Sequence, residues 1–203
     1  CDWSSDVCSS DLINEALLEE FQRLGVLQTG HFQLTSGLHS EQYMQCAKLF
    51  EYPRQASRIM QALLPKLPGG IETVIAPAIG GITVGYELAS LLGCRFIFAE
   101  RQDGKMVFRR GFALEPGEKV LAVEDVVTTG GSVQEVVDLA RGSKAQILGV
   151  AALVDRSRGR ADFQVPFYSL VQMEITVYDP TDCPLCTKGV ALQAPGSRKT
   201  GGV

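Results

Sequence analysis

Apolar residues at Ile13, Leu17, Leu18, Phe21 and Leu24 recur at three- and four-residue steps, which predicts an amphipathic helix closed by Gly25. Residues 29–46 then mix Gly30 and the Ser36-Gly37 pair with two short β-prone pieces, Phe32-Gln33-Leu34 and Tyr43-Met44, and predict a loop-rich, two-stranded lid. Pro53 suits the first turn of a second helix, with Ala56, Ile59, Met60, Leu63 and Leu64 on one face and Pro65 and Pro68 to end it. From residue 72 the rhythm changes to short unbroken apolar runs separated by helical stretches. Thr73-Val74-Ile75-Ala76 leads through a Gly-rich turn to a helix ending near Leu92. Phe96-Ile97-Phe98 leads to a polar loop and a hairpin over residues 106–114. Val120-Leu121-Ala122-Val123 leads to two acids, a Thr/Gly turn and a helix carrying Val133, Val136, Val137 and Ala140, and Ile147 to Val154 forms one more run. Continuous rather than alternating apolar runs belong to strands buried on both faces of a parallel sheet. The expected fold class is therefore α/β, a doubly wound, mainly parallel sheet, in which ligands sit beyond the carboxyl ends of the strands.

The 203 residues leave room for one such domain. Nineteen Lys and Arg against twenty-three Asp and Glu give a net charge of −4, so no global basic field draws the chain to polyanions, and nucleic acid is not an expected partner. The least charged stretch, residues 74–93, is broken by Pro77, Gly80-Gly81, Gly85 and Glu87, unlike the roughly 20 unbroken apolar residues of a membrane span. Residues 1–12 carry Trp3 and two of the six cysteines without any helical or strand period, and are expected to be a leader foreign to the fold. Cys46, Cys94, Cys183 and Cys186 are scattered and are expected to be reduced thiols in a cytoplasmic protein.

The segment Val120-Leu121-Ala122-Val123-Glu124-Asp125-Val126-Val127-Thr128-Thr129-Gly130-Gly131-Ser132 joins a buried strand, an acid pair, a small-residue turn and a helix start. Converging backbone N–H groups and a positive helix end make such a turn an anion cradle suited to phosphate. Two adjacent carboxylates repel phosphate but accept hydrogen bonds from a diol, so a ribose 5-phosphate unit satisfies both features. Taken as pattern alone, an ordinary helix cap after two end-of-strand acids fits about as well. Ala76-Pro77-Ala78-Ile79-Gly80-Gly81-Ile82 is a second loop through which a backbone could approach an anion closely, or simply a tight strand-to-helix turn.

The thirteen residues 120–132 match at every position the signature of type I phosphoribosyltransferases, which bind 5-phosphoribosyl 1-diphosphate (PRPP). Leu34-Thr35-Ser36-Gly37-Leu38-His39-Ser40-Glu41-Gln42-Tyr43 resembles the substrate hood of the orotate branch of that family. The resemblance covers nearly all of residues 13–198 and implies a single domain with a small N-terminal hood, 13–52, followed by a tail, 199–203. It implies transfer of ribose 5-phosphate from PRPP to orotate, with Mg²⁺ held mainly by substrate rather than by a protein metal site. PRPP would meet Glu124, Asp125, Val126, Val127, Thr128, Thr129, Gly130, Gly131 and Ser132, together with Ala78, Ile79, Gly80, Gly81 and Lys48. Orotate would meet Thr128, Arg156, Ser36, Gly37 and Ser40, Arg156 offering a planar fork to a carboxylate or carbonyl. Arg101, Lys105 and Asp125 would be the catalytic groups. The loop 100–110 would close across subunits, implying a homodimer.

Two family lysines are missing, with Thr35 and Gly80 in their places, and Lys48 is the candidate replacement for one. The mobile loop also lacks the family's histidine, and Arg109 and Arg110 read as hairpin surface charges, with additional phosphate partners as the other reading. Cys183-Pro184-Leu185-Cys186 supplies two of the roughly four ligands of a structural zinc, so reduced thiols in a tight turn are expected, with a two-subunit zinc site or a redox pair as the other readings. A purine or xanthine phosphoribosyltransferase, or a non-catalytic PRPP sensor, are the competing functions.

Overall fold

The computed structural model describes residues 5–195. Two sheets organise the chain. The larger is built from β3 (Thr73–Pro77), β4 (Arg95–Gln102), β5 (Lys105–Phe108), β6 (Lys119–Val127), β7 (Gln146–Asp155) and β8 (Phe167–Gln172) in the order β5-β4-β3-β6-β7-β8. All neighbours are parallel except the β4–β5 hairpin.

Side-chain alternation along β6 divides the core. Leu121 and Val123 lie in one cluster with Leu88 of α3 (Gly80–Leu92), Met60 of α2 (Pro53–Met60) and Phe21 of α1 (Ser5–Arg23). Val120 and Ala122 lie in the other with Val133, Val136, Val137 and Ala140 of α4 (Gly131–Gly142). The sheet is thus covered on both faces, which is why its strands read as unbroken apolar runs. The doubly wound expectation holds. Each fully buried leucine contributes roughly 1.5–3 kcal/mol by leaving water.

The smaller sheet pairs β1 (Leu27–Gln33) with β2 (His39–Met44), and β2 with the two-residue β9 (Val177–Tyr178), all antiparallel. It is the expected two-stranded lid with a third strand added from far along the chain. A 3-10 helix, Cys46–Glu51, leads from it to α2, and a second, Gln61–Lys66, follows. A last single turn, α5 (Pro184–Thr187), lies beside the lid.

Three details differ from the sequence reading. Helix α1 begins at Ser5, so it reaches back into the segment expected to lie outside the fold; residues 1–4 and the tail 199–203 fall outside the described residues. The hairpin is not at 106–114: β4 continues through Glu100 and Arg101 and turns at Asp103-Gly104, both at positive φ, into β5. That is the geometry a tight two-residue hairpin turn demands. Helix α2 also stops at Met60, Leu63 and Leu64 continuing in the 3-10 turn that contains Pro65.

Candidate functional site

The carboxyl ends of β3, β6 and β7 converge, and the expected site residues leave the sheet there. Parallel register pairs Val127 with Asp155, so Thr128 and Arg156 emerge side by side, and the Arg156 N–H donates to the Val127 carbonyl at 2.8 Å. On β6, the Asp125 N–H approaches Glu124 Oε1 at 3.3 Å and the Val126 N–H donates to Asp125 Oδ1 at 2.8 Å. Burial, then the negative charge of Asp125 and a hydrogen bond with its carboxylate, push Glu124 up to about 9. Two acids on successive positions are therefore held together in a site that disfavours a second negative charge.

Past β6 the chain turns through residues 128–130 into α4. Gly130 takes φ +79°, and a Cβ there would stand 2.7 Å from the Phe163 ring, so only glycine fits. The helix starts without a side-chain cap, leaving first-turn N–H groups directed at a concavity of about 60 Å³ lined by Glu124 and residues 126–133. Such a helix start favours an anion.

The loop after β3 is pressed against this strand end. The Ala78–Ile79 peptide is cis, and Ile79 projects into solvent. A Cβ on Gly80 would lie 2.8 Å from Asp125 Oδ2, and one on Gly81 would lie 3.2 Å from the Val123 carbonyl oxygen. The small residues let the loop backbone approach the acid pair.

At the end of β7, Asp155 Oδ1 accepts the Ser157 N–H at 2.7 Å and shapes the turn that carries Arg156. Burial holds the Arg156 guanidinium below its ordinary value, and its Nε is buried without a hydrogen-bond partner among the described residues. A half-buried cation with an unused donor suits a planar oxygen acceptor.

The lid places its residues unevenly. Ser36 and Gly37 form the exposed tip between β1 and β2, with Gly37 at φ +85°. Ser40 is fully buried and its hydroxyl donates to the Thr176 carbonyl at 2.8 Å, so it fastens the lid to the segment before β9. Two residues outside the expected set, Tyr43 and the buried Cys46, feel the charge of Asp125. Burial and then the Asp125 charge raise the Tyr43 phenol; burial and then Asp125 push the Cys46 thiol well up, opposed by Arg156.

Two of the expected cations, Arg101 and Lys48, are engaged elsewhere. Arg101 makes two bonds to Glu135 on α4, at 2.7 and 3.0 Å, and a third to the Gly104 carbonyl. Lys105 is exposed beside the hairpin turn, with no ion pair among the described residues. Lys48 pairs with Glu51 at 3.0 Å on its own 3-10 helix and lies near Gly25. Arg110 pairs with Glu100 and covers the Phe98 ring, in keeping with a surface role on the hairpin.

A second polar cluster lies at the outer end of the lid, where His31, His39, Cys183 and Cys186 meet. The count of only two metal-ligand residues around the Cys-x-x-Cys pair is thereby corrected: strand pairing delivers the chain's only two histidines to it.

The sequence profile of the phosphoribosyl transferase domain matches residues 51–185. An orotate phosphoribosyltransferase of a Thermoanaerobacter species is 50% identical over 186 residues, covering 91% of this chain and 98% of the relative. That of Thermotoga maritima is 49% identical over 181 residues, covering 89% and 97%. Among solved structures, orotate phosphoribosyltransferase from Aeropyrum pernix superposes with a TM-score of 0.64 at 24% identity, covering 77% of this chain and 93% of that one. Adenine phosphoribosyltransferase from Rhodothermus marinus also gives 0.64, at 20% identity, covering 79% and 100%. The fold alone does not separate the bases; the sequence relatives do.

Proposed function

We propose that this chain, which belongs to the phosphoribosyltransferase family and is an orotate phosphoribosyltransferase, joins orotate to PRPP with the residues gathered at the ends of β3, β6 and β7. The observation that carries this reading is the contact between the acid pair, the residue 128–132 cradle and the Gly80 loop, with Arg156 beside Thr128. The products are orotidine 5′-phosphate, the precursor of UMP in pyrimidine biosynthesis, and diphosphate.

The N–H groups of the turn from Thr128 to Ser132 hold the 5′-phosphate at the start of α4, with Val126 and Val127 lining the cradle. Glu124 and Asp125 accept the ribose hydroxyls. Ala78, Ile79, Gly80 and Gly81 lie along the diphosphate, and Lys48 lends positive charge from the lid once it leaves Glu51. Arg156 and Thr128 orient the base, with Ser36 and Gly37 closing over it; the committed hydroxyl of Ser40 supports the lid instead of reaching orotate. As the C1–O bond to diphosphate breaks and a ring nitrogen of orotate bonds to C1, the leaving diphosphate gains charge, and Arg101 and Lys105 stabilise it when the hairpin swings off Glu135 and excludes water.

The residues fit Mg²⁺. Glu124 and Asp125 are adjacent hard-oxygen donors whose mutual repulsion a cation relieves, and the missing Cβ of Gly80 leaves room beside Asp125 Oδ2. A bound Mg²⁺ would be held mainly by substrate oxygens, with Glu124 and Asp125 beside it, and would supply charge neutralisation on the leaving group.

The enzyme works as a homodimer in the cytoplasm, each β4–β5 hairpin closing over the site of the other protomer. Two observations support this: the Arg101–Glu135 pair that ties the hairpin to α4 is exposed, and Cys46, Cys94, Cys183 and Cys186 are unpaired with one another. Among the described residues no helix is long and apolar enough to cross a membrane.

The test is an ultraviolet assay of orotate consumption with PRPP and Mg²⁺, with adenine as competing base. Loss of orotate absorbance, stopped by EDTA and reversed by added diphosphate, is expected. Consumption of adenine instead would move the chain to the purine branch. Thermal stabilisation by PRPP without turnover of either base would make it a sensor.

A further inference from the structure

We propose that His31, His39, Cys183 and Cys186 form a structural metal site for one Zn²⁺ per chain, clamping the lid to the C-terminal turn. One ligand atom from each residue lies within 4.8 Å of all the others. A tetrahedral Zn²⁺ with Zn–S of about 2.3 Å and Zn–N of about 2.0–2.1 Å requires N···S edges of about 3.5 Å and an N···N edge of about 3.3 Å. The edges found are 3.6 Å from His31 Nε2 to Cys183 Sγ, 3.8 Å from His31 Nε2 to Cys186 Sγ and 3.3 Å from His39 Nδ1 to Cys186 Sγ. The two ring nitrogens stand 3.0 Å apart. Four of the six edges thus lie close to those of a metal-sized tetrahedron, and none exceeds 4.8 Å.

The surroundings agree with ligation. His31 Nδ1 donates to the Val190 carbonyl at 2.8 Å, which fixes the tautomer and leaves the Nε2 lone pair facing the cluster. His31, His39 and Cys183 are buried, with Cys186 on the outer side. Two thiolates and two neutral imidazoles around Zn²⁺ carry no net charge, so a largely buried site bears no uncompensated ion. Loading releases the two thiol protons. Sulfur and nitrogen ligands select Zn²⁺ over Mg²⁺, keeping this site distinct from the oxygen-lined acid pair.

The fold also supplies a reason for a clamp. His31 and Cys183 are 152 positions apart. The chain after α5 contributes little apolar burial, Val190 and Leu192 both being exposed, and touches β1 through backbone bonds between Gln193 and both His31 and Gln33. A metal bonded to β1, β2 and the Cys-x-x-Cys turn fixes the lid from outside. His39 lies four residues before Tyr43, roughly 13 Å along the strand.

The experiment uses the full chain, untagged and reduced, stripped with a chelator and titrated with Co²⁺ in excess Mg²⁺. One Co²⁺ per chain is expected, with thiolate charge-transfer absorption and the visible bands of a tetrahedral ion, displaced by equimolar Zn²⁺. Cys186→Ser, at the outer corner, should weaken binding by more than about 10²-fold. Metal analysis of protein purified without chelator should find close to one zinc. Absence of the cobalt signature in the reduced parent chain, or its persistence in Cys186→Ser, overturns the site. These readouts do not depend on orotate turnover, so failure of the metal site and failure of the catalytic reading are separable.

Discussion

Gly80, the first residue of α3, and Asp125, on β6, approach so closely that a Cβ on Gly80 would stand 2.8 Å from Asp125 Oδ2. The other oxygen of that carboxylate is held by the Val126 N–H, so it cannot retreat without losing this bond. Gly80→Ala is therefore expected to raise the KM for PRPP by up to about tenfold, the size of one net hydrogen bond. Stability should change by no more than about 1 kcal/mol, because the gain of alanine over glycine in a helix is offset by the displaced carboxylate. Steady-state kinetics beside a melting curve tests both; an unchanged KM would detach Gly80 from the site.

Glu124 gives a pH dependence with a defined sign. Its native value is near 9, whereas in the unfolded chain it ionises near the ordinary 4.5. Between these values the native state binds more protons than the unfolded one, so stability is complete below about pH 4.5 and falls as pH rises toward 9. The slope reaches at most about 1.4 kcal/mol per pH unit. Glu124→Gln mimics the protonated form and removes the slope. In ligand-free protein its Tm should overtake the parent's progressively between pH 5 and 9 while its turnover falls; parallel Tm profiles would contradict the assignment.

Legibility in the sequence followed the range of the interactions. The parallel sheet and the acid pair with its cradle were readable because each is a contiguous run whose residue types carry the chemistry. The hairpin was misplaced although Asp103-Gly104 is a strong local turn signal, because the polar residues 100–105 read as a loop once the apolar run stopped at Phe98. Helix α1 was started at Ile13 because residues 5–12 lack the apolar period, yet backbone bonding continues through them. The four-ligand cluster was beyond reach: His31 and His39 meet only through β1–β2 pairing, and Cys183 joins them across the whole chain. The commitment of Ser40 to Thr176 has the same cause.

The base-binding role proposed for Arg156 can be tested separately from the binding of PRPP. Its guanidinium is half-buried and weakened as a cation by burial, with Nε unused. Arg156→Lys keeps the charge but loses the fork, and should raise the KM for orotate by at least about tenfold while leaving that for PRPP within about threefold. Arg156→Met removes a partly buried unpaired charge, so ligand-free protein should melt no lower than the parent although orotate no longer binds. Equal losses for both substrates would place Arg156 in the scaffold.

The action proposed for the β4–β5 hairpin requires Arg101 to leave its pairing with Glu135. Arg101 and Glu135 are each more than a third exposed, and an exposed ion pair contributes about 0–1 kcal/mol. Breaking it is compatible with rapid turnover. Glu135→Ala should accordingly leave kcat within about threefold, since it removes only the tether. Lys105→Ala and Arg101→Ala should lower kcat by more than about 10²-fold, as expected for loss of a donor that acts on the departing diphosphate. Lys105→Ala should not change Tm, because the side chain is exposed at the turn. Mixing Lys105→Ala chains with chains inactivated at Asp125 by Asp125→Asn gives the decisive readout. Recovery of activity would mean that one protomer's hairpin serves the other's acids, whereas two dead variants that remain dead on mixing would confine each hairpin to its own site.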